Sequence, residues 1–140
     1  MKVYLIGSLR NPNIPVLGNE LRAKGYEIFD DWYAAGERAD DEWQTYEQGR
    51  GHTFVEALKG FAAWHVFEYD KFHIDTSDVG VLMLPTGKSG HIEFGMFVGQ
   101  NKPTFILLDG EPERFDVMYR SATAVCATKT KLFAELRKLA

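Results

Sequence analysis

This sequence has a single cysteine, no excess of positive charge and no long apolar run. The one cysteine, Cys126, excludes an internal disulfide and leaves no second thiol for a cysteine-based metal site. Its apolar neighbours in TAVCAT indicate a buried thiol rather than a nucleophile. The formal net charge of −4 argues against non-specific binding to nucleic acid or to an anionic membrane. A single small phosphorylated ligand needs only a local cluster of donors and stays possible.

Targeting and metal-binding signals are missing as well. The opening MKVYLIGS is a strand-like run without the apolar core of about 7–15 residues that a signal peptide carries. No run approaches the length of about 18 residues that a membrane span needs. We therefore expect a cytoplasmic protein. The histidines show neither HExxH nor another metal-ligand spacing, so we expect no metal site.

What the sequence does contain is an alternation of apolar runs and helical patterns. Its 140 residues, 45% of them apolar, fit one compact domain over residues 1–140 without repeats or linkers. The predicted strands are Lys2–Gly7, Tyr26–Phe29, Val79–Leu84, Pro103–Leu108 and Thr123–Thr128. The predicted helices are one through Ile14, Leu17 and Leu21 that ends near Gly25, and then Asp40–Arg50, Thr53–Asp70, Ser89–Gln100 and Lys129–Leu139.

Strands that are apolar along their whole length and alternate with helices indicate a parallel sheet covered on both faces. We expect an α/β fold, a flavodoxin-like three-layer sandwich with a five-stranded parallel sheet. In such sheets the ligand binds beyond the carboxyl ends of the strands, between strands one and three. This rule brings GSLRNP, after the first strand, next to PTGKSGHIE, after the third.

Within the second loop, Gly87-Lys88-Ser89 looks like the end of a P-loop. A P-loop needs a glycine five residues before its Gly-Lys pair. That position holds Leu82, and Gly80 is two residues too early. The loop therefore calls for a chemistry other than that of a nucleotide triphosphatase.

Two carboxylates are candidates for that chemistry. Glu93 is expected in the first turn of the helix after PTGKSG, where the field of the helix N-terminus keeps a carboxylate ionised at neutral pH. An ionised carboxylate in a cleft suits attack on an anomeric carbon, although complementing the helix dipole is the plainer role. Asp70 is expected to end a long helix near the carboxyl edge of the sheet. There it could bind sugar hydroxyls or move a proton, or form a solvated acidic turn with Asp75 and Asp78.

The first loop supplies candidate binding residues. Ser8 and Arg10 could form a phosphate or carboxylate pocket, with a turn serine and a surface arginine as the alternative. Ser89 would face the same cleft. Trp32, after the second strand, could stack on a base or simply pack against the core. Among the histidines, His65 is expected to be a core or helix-packing residue.

Three of these segments, in order, resemble the nucleoside 2-deoxyribosyltransferase family, including its branch of nucleotide N-glycosidases. They are YLIGSLR, then Asp70 eight residues before Asp78, and then SGHIEFGMFVGQNKPTFILL with its Glu-x-Gly followed by Lys-Pro. The resemblance runs from Met1 to about Leu108. One departure is Gly87, which stands where family members often have a polar or acidic residue.

The resemblance implies Glu93 as a nucleophile, Asp70 as the residue that positions the sugar or exchanges a proton, and Tyr4 as a residue that holds the nucleophile or the sugar. It also implies that Ser8, Arg10 and Ser89 take a 5′-phosphate or 5′-hydroxyl. The glycines Gly7 and Gly87 would let the backbone approach the ligand.

The activity implied is cleavage of the N-glycosidic bond of a 2′-deoxynucleoside or its 5′-monophosphate through a covalent Glu93 intermediate. The sugar then passes to another base or to water, with no metal or organic cofactor. The resemblance also implies a homo-oligomer whose sites a neighbour completes, through the region around Met118 and Tyr119. The alternatives are a non-catalytic nucleotide-binding or sensing module and a flavodoxin-like electron carrier.

Overall fold

The computed structural model describes residues 1–140 and contains one parallel sheet with helices on both faces. Its strands are β1 (Lys2–Ile6), β2 (Glu27–Phe29), β3 (Val79–Met83), β4 (Thr104–Leu107) and β5 (Ala124–Cys126). Their order across the sheet is β2-β1-β3-β4-β5, and every neighbouring pair is parallel. The predicted flavodoxin-like sandwich is confirmed, with β1 and β3 adjacent at the centre.

Six α-helices and two short 3-10 turns connect the strands. The helices are α1 (Asn13–Ala23), α2 (Ala39–Gly49), α3 (Phe54–Leu58), α4 (Phe61–Thr76), α5 (Lys88–Gly99) and α6 (Lys129–Arg137). The 3-10 turns are Asp31–Ala35 and Val117–Ser121. None of the helices is long and apolar enough to cross a bilayer.

The single helix predicted over Thr53–Asp70 is wrong in its extent. Thr53 does cap a helix, through a capping box with Glu56, but that helix ends at Leu58. Gly60 then adopts an extended conformation (ψ 169°) and begins a second helix, α4, that runs on to Thr76. Glycine weakens a helix interior because it keeps the most backbone freedom in the unfolded chain, so the break falls at this residue.

The core has two halves because successive side chains of a strand point to opposite faces of the sheet. On one face Val3 and Leu5 of β1 pack with α1 and α6, and the buried thiol of Cys126 lies there as predicted. On the other face Tyr4 and Ile6 pack with residues of α4 and α5. The two loops predicted to be neighbours follow β1 and β3, which pair directly.

The segment α3–α4 is exposed where a core face was expected. The helical face through Phe54, Leu58, Phe61 and His65 points to solvent, so the prediction of His65 as a core or helix-packing residue is wrong. Packing against the sheet instead uses the opposite side of α4, where Ile74 is buried. A 3.6-residue period identifies a shared face but not the surface that this face contacts.

Candidate active site

The centre of the candidate site is a hydrogen bond between the first strand and the fifth helix. The phenol of Tyr4 donates to Glu93 Oε2 at 2.5 Å, although the two residues are 89 positions apart. Tyr4 is fully buried in β1 and its ring packs between Phe29 and Phe97. Since β1 and α5 both belong to the packed core, the position of the Glu93 carboxyl is fixed by rigid elements.

Space for the Phe97 ring, which packs on Tyr4, comes partly from a glycine of the sheet. Gly80 of β3 pairs with Tyr4 in the sheet, and a Cβ atom there would lie 2.8 Å from the ring of Phe97. The missing side chain lets α5 approach the sheet closely. This close approach brings Glu93, one turn before Phe97, to the Tyr4 hydroxyl.

Glu93 does not lie in the first turn of its helix, and the pKa of its carboxyl is raised. It is the sixth residue of α5, which is beyond the reach of the positive end of the helix dipole. Burial raises the pKa of Glu93 to about 7, and the charge of Asp70 adds to this, while the hydrogen bond from Tyr4 opposes it. The expectation that the helix N-terminus keeps this residue fully ionised at neutral pH is therefore wrong.

Asp70 lies in the middle of α4 rather than at its end, which corrects the predicted position. Burial raises the pKa of Asp70 to about 6. Its charge also raises the pKa values of Tyr4 and Glu93, so the three groups interact electrostatically. The Tyr4 phenol has a strongly raised pKa, chiefly from burial, and therefore remains a proton donor to Glu93.

The other two acidic residues of the predicted cluster have structural partners. Asp75 accepts hydrogen bonds from Lys71 at 2.7 Å and from Gln100 at 2.8 Å. Asp78 accepts one from the backbone N–H of Lys2 at 2.8 Å. Asp70 thus differs from Asp75 and Asp78 because it interacts electrostatically with the Tyr4–Glu93 pair.

A cavity of about 640 Å³ lies beyond the carboxyl ends of the strands. Ser8, Arg10 and Gly87 border it, together with residues that follow β4 and β5. Tyr4, Trp32, Asp70, Ser89 and Glu93 are not among its lining residues. The structure therefore distributes the predicted site residues over two places, a carboxylate cluster beside α5 and a cavity rim at its N-terminus.

Local contacts define the rim. Ser8 Oγ accepts a hydrogen bond from the Arg10 backbone at 3.1 Å, and the exposed Arg10 guanidinium lies 3.5 Å from Asp41. Gly87 is the N-cap of α5, whose first turn receives no side-chain cap, and Ser89 is exposed in that turn. Uncapped backbone N–H groups at a helix start are a ready binding site for an anion.

Gly7 and Trp32 have packing roles that the structure makes explicit. A Cβ atom at Gly7 would meet the side chain of Ile14, so glycine lets α1 pack closely on β1. Trp32 donates from Nε1 to the carbonyl of Leu5 at 2.8 Å and packs against both halves of the core. Packing against the core, with its hydrogen bond to Leu5, thus explains the position of the Trp32 indole. Stacking of the Trp32 ring on a base remains a prediction.

Two features of the rim were not singled out from the sequence. Asn11 is buried, with 6% of its surface exposed, and its Oδ1 accepts from the Asn13 backbone at 3.0 Å while its Nδ2 has no partner. His91 Nδ1 lies 2.8 Å from the Gly87 carbonyl, and its Nε2 lies 2.8 Å from the Tyr119 hydroxyl. A carbonyl only accepts, so Nδ1 carries the proton and Nε2 accepts from Tyr119. The Asn-Pro turn was a visible signal for Asn11, whereas nothing local indicates the contact of Tyr119.

No group of three or more histidine, cysteine, aspartate or glutamate side chains has a geometry that could hold a metal ion. The arrangement itself offers two interacting carboxyls of raised pKa and a phenol donor.

Comparison with known proteins gives matches of structure only. No family model matches the sequence, and no curated protein matches it either. The 2-deoxyribosyltransferase of Bacillus psychrosaccharolyticus superimposes with a TM-score of 0.67 at 17% identity, over 97% of this chain and 96% of that one. The CMP N-glycosidase BcmB of Clostridium botulinum gives 0.59 at 16% identity, over 98% and 99%.

A third structural match is a protein of a different kind. The response regulator TrrA of Thermotoga maritima, solved in complex with Mg²⁺ and BeF, gives a TM-score of 0.57 at 20% identity over 100% of both chains. Structural similarity at these sequence identities establishes the fold only, and the activity has to be argued from the residues of the site. Over its whole length, the chain has the fold of a 2-deoxyribosyltransferase and of an N-glycosidase, in agreement with the resemblance that its motifs indicate.

Proposed function

We propose that this protein cleaves the N-glycosidic bond of a 2′-deoxynucleoside or its 5′-monophosphate through a covalent intermediate on Glu93. The observation that carries the proposal is the 2.5 Å hydrogen bond from Tyr4 to Glu93, with Asp70 in electrostatic contact. A held carboxylate and a second carboxyl able to exchange a proton are what a retaining mechanism uses. The two enzymes that share the fold, a CMP N-glycosidase and a 2-deoxyribosyltransferase, support the choice of reaction class.

In the first step a Glu93 oxygen attacks C1′ of the sugar through an oxocarbenium-like transition state. The C1′–O bond forms as the C1′–N bond breaks, and the base leaves with the electron pair of that bond. The base takes up a proton, which Asp70 in its protonated form can supply. Tyr4 keeps the attacking carboxylate in position, because its phenol stays protonated.

In the second step an acceptor replaces Glu93 at C1′. A nitrogen of a second base gives transfer, and the oxygen of water gives hydrolysis. The acceptor loses a proton to the Asp70 carboxylate, and the C1′–O bond to Glu93 breaks to restore the carboxylate. The hydrogen bond from Tyr4 stabilises the departing charge. Both steps balance without a redox partner, and we propose that the reaction uses no metal or organic cofactor.

The rim residues are proposed to bind the remainder of the substrate. Ser8, Arg10 and the uncapped start of α5 at Gly87 offer donors for a 5′-phosphate or 5′-hydroxyl, and Ser89 stands in the same turn. Gly7 keeps the first loop close to the sheet. Trp32 is proposed to contact the base.

A non-catalytic nucleotide-binding module is the alternative, because a response regulator has the same fold. Replacing Glu93 with Gln distinguishes the two. The variant should bind substrate within about tenfold of the native protein, or about 1.4 kcal/mol, because most contacts to sugar and base remain. Base release should become undetectable, since losing a nucleophile costs several orders of magnitude in rate.

The assay incubates native and variant protein with the deoxynucleosides and their monophosphates, with and without adenine, and separates the bases by chromatography. Asp75→Asn is the matched control, because Asp75 pairs with Lys71 away from the cluster, and it should keep full activity. Absence of base release from every substrate by native protein would favour the binding module. Undiminished release by Glu93→Gln would move the nucleophile to another carboxylate.

We also propose that the chain acts as a single domain over residues 1–140, in the cytoplasm, as a homo-oligomer. Its formal net charge of −4 supports the absence of nucleic-acid partners.

A further inference from the structure

The cavity beyond the carboxyl ends of the strands has no unpaired cation on its lining. Three charged side chains line its volume of about 640 Å³, namely Arg10, Asp109 and Lys129. Lys129 Nζ donates to Glu20 Oε1 at 2.7 Å, and the Arg10 guanidinium lies 3.5 Å from the Asp41 carboxylate. Each cation of the cavity is therefore already paired with a carboxylate.

The third charged side chain of the lining is itself a carboxylate. Asp109 follows β4, is exposed and takes part in none of the salt bridges of the chain. Lys88, at the start of α5, is exposed and does not line the cavity. A phosphate group carries a charge of about −1.5 to −2 at pH 7, so it would enter a cavity whose cations are outnumbered by carboxylates. A hydroxyl group carries no charge and avoids this repulsion.

Backbone donors are also occupied at two of the three helix starts around the cavity. In α1 the N–H of Asn13 donates to Asn11 Oδ1 at 3.0 Å, and in α6 the N–H of Lys131 donates to Thr128 Oγ1 at 3.2 Å. Only α5 begins without such a contact. Its N–H groups can donate to a hydroxyl oxygen as well as to a phosphate, so the donors of the cavity do not require an anion.

The ion pair between Arg10 and Asp41 joins the loop after β1 to the start of α2. Asp41 lies in the first turn of α2 together with Asp40 and Glu42, where the helix dipole favours negative charge. A phosphate that binds Arg10 has to displace the Asp41 carboxylate or share the guanidinium with it, and it meets the repulsion of the acidic turn in both cases. A 5′-hydroxyl needs no cation and can bind while the pair stays intact.

We infer that Asp41 is a specificity-determining residue, which keeps Arg10 paired and makes the protein prefer the 5′-hydroxyl of a 2′-deoxynucleoside to the 5′-phosphate of its monophosphate. Asp109 acts in the same direction, as an unpaired carboxylate on the lining. The inference rests on the proposed function and decides between the two substrate classes that this function allows.

The first test compares kcat/KM for base release from the four 2′-deoxynucleosides with that from their 5′-monophosphates. Native protein should prefer the nucleoside by about tenfold or more. Asp41→Asn should reduce this preference by about 3- to 10-fold, because it frees Arg10 from a pair whose side chains are 71% and 60% exposed. Asp75→Asn is the matched control. It makes the same change of charge before the start of β3, at the far end of the sheet, where screening over about 10 Å removes its effect on the cavity.

A second pair of variants separates the ion pair from a general effect of charge. In an Arg10→Gln background, Asp41→Asn should change the preference by less than about twofold, because no cation remains to be freed. A native preference for the monophosphates would overturn the inference. So would an unchanged preference in Asp41→Asn, or an equal change with and without Arg10.

Calorimetry on Glu93→Gln protein separates the inference from the proposed function, because binding requires no chemistry. Each 2′-deoxynucleoside should bind more tightly than its monophosphate, and adding Asp41→Asn should reduce the difference by about 3- to 10-fold. Tighter binding of nucleosides by a protein whose native form releases no base would keep the preference and refute the proposed function. Base release that favours the monophosphates would do the reverse. Binding of neither ligand at about 1 mM would overturn the inference.

Discussion

At the residue scale, the Tyr4 hydroxyl has one hydrogen-bond partner, the carboxyl of Glu93. Because this bond lowers the pKa of Glu93 against the effect of burial, Tyr4→Phe should raise that pKa further above about 7. Less of the carboxyl is then ionised at neutral pH. We expect kcat/KM at pH 7 to fall by about 10- to 100-fold. Because the pKa of Glu93 lies above that of Asp70, the basic limb of the pH profile should move to higher pH.

The profile of kcat/KM against pH measures this shift directly. Tyr26→Phe, at a half-buried position before β2, is the control and should leave both limbs in place. A basic limb that does not move in Tyr4→Phe would show that Tyr4 does not act through Glu93.

The native pH profile should itself be bell-shaped. The reaction uses Glu93 ionised and Asp70 protonated, and their pKa values are about 7 and about 6. Interacting carboxyls titrate as a pair, so we expect a maximum between about pH 6 and pH 7. Asp70→Asn should remove one limb of the bell, and a two-limbed profile in this variant would exclude Asp70 from the proton transfer.

The members of the carboxylate cluster could be chosen from the sequence, but their raised pKa values could not be predicted from it. Asp70 and Glu93 stand out because they occur in segments that resemble a known family, and Tyr4 lies in the first of these. The pKa of Glu93 depends on burial against residues far away in the chain, and no local pattern contains this information. For the same reason the contact between His91 and Tyr119 was not foreseen.

At the scale of elements, the contact between β3 and α5 decides where Glu93 lies. A methyl group at Gly80 would meet the Phe97 ring at 2.8 Å, whereas one at Gly95 of α5 would meet no atom within 4 Å. Gly80→Ala should therefore destabilise the protein by about 1–3 kcal/mol and displace α5. Gly95→Ala should stabilise it by about 0.5–1 kcal/mol, because alanine favours a helix.

Urea unfolding of the two variants measures both changes, and each serves as the control for the other. Equal effects would mean that Gly80 is not needed for close packing.

The strands were predictable because each is a short apolar run closed by glycine, proline or a polar turn. The helices before β3 were predicted less well. The pattern places Gly60 inside one continuous helix, and it places His65 in the core or a helix contact, whereas the structure breaks the helix at Gly60 and exposes His65. Side-chain hydrophobicity does not indicate which surface of the protein a residue contacts, so the exposure of these helices could not be predicted from the sequence.

At the scale of the whole molecule, the buried carboxyls make stability depend on pH. Glu93 and Asp70 have pKa values of about 7 and about 6, above their ordinary values of 4.5 and 3.8. The folded state therefore binds more protons than the unfolded state between these values. Their contribution is complete below about pH 4 and is lost as pH rises through about 7.

Glu93→Gln removes one of these groups and should raise the free energy of unfolding by about 1–3 kcal/mol at pH 8. At pH 4 the variant and the native protein should differ little, because Glu93 is then protonated in both states. Urea unfolding at the two pH values measures the difference, and the comparison cancels the contributions of all other groups. If the free energy of unfolding rises equally at both pH values, burial does not raise the pKa of Glu93 in the folded protein.

The sheet order also governs when the protein can fold during its synthesis. Strand β1 leaves the ribosome well before β3, yet it lies inside the sheet, and its partner on one side is β3, with Val3 opposite Val79. At about 5–20 residues per second, β3 follows β1 by roughly 4–15 seconds. During that interval the nascent chain exposes KVYLI with only the three-residue β2 to pair with. The N-terminal strand of this protein is therefore a segment that chaperones of the ribosome exit would meet early and release only after β3 has emerged.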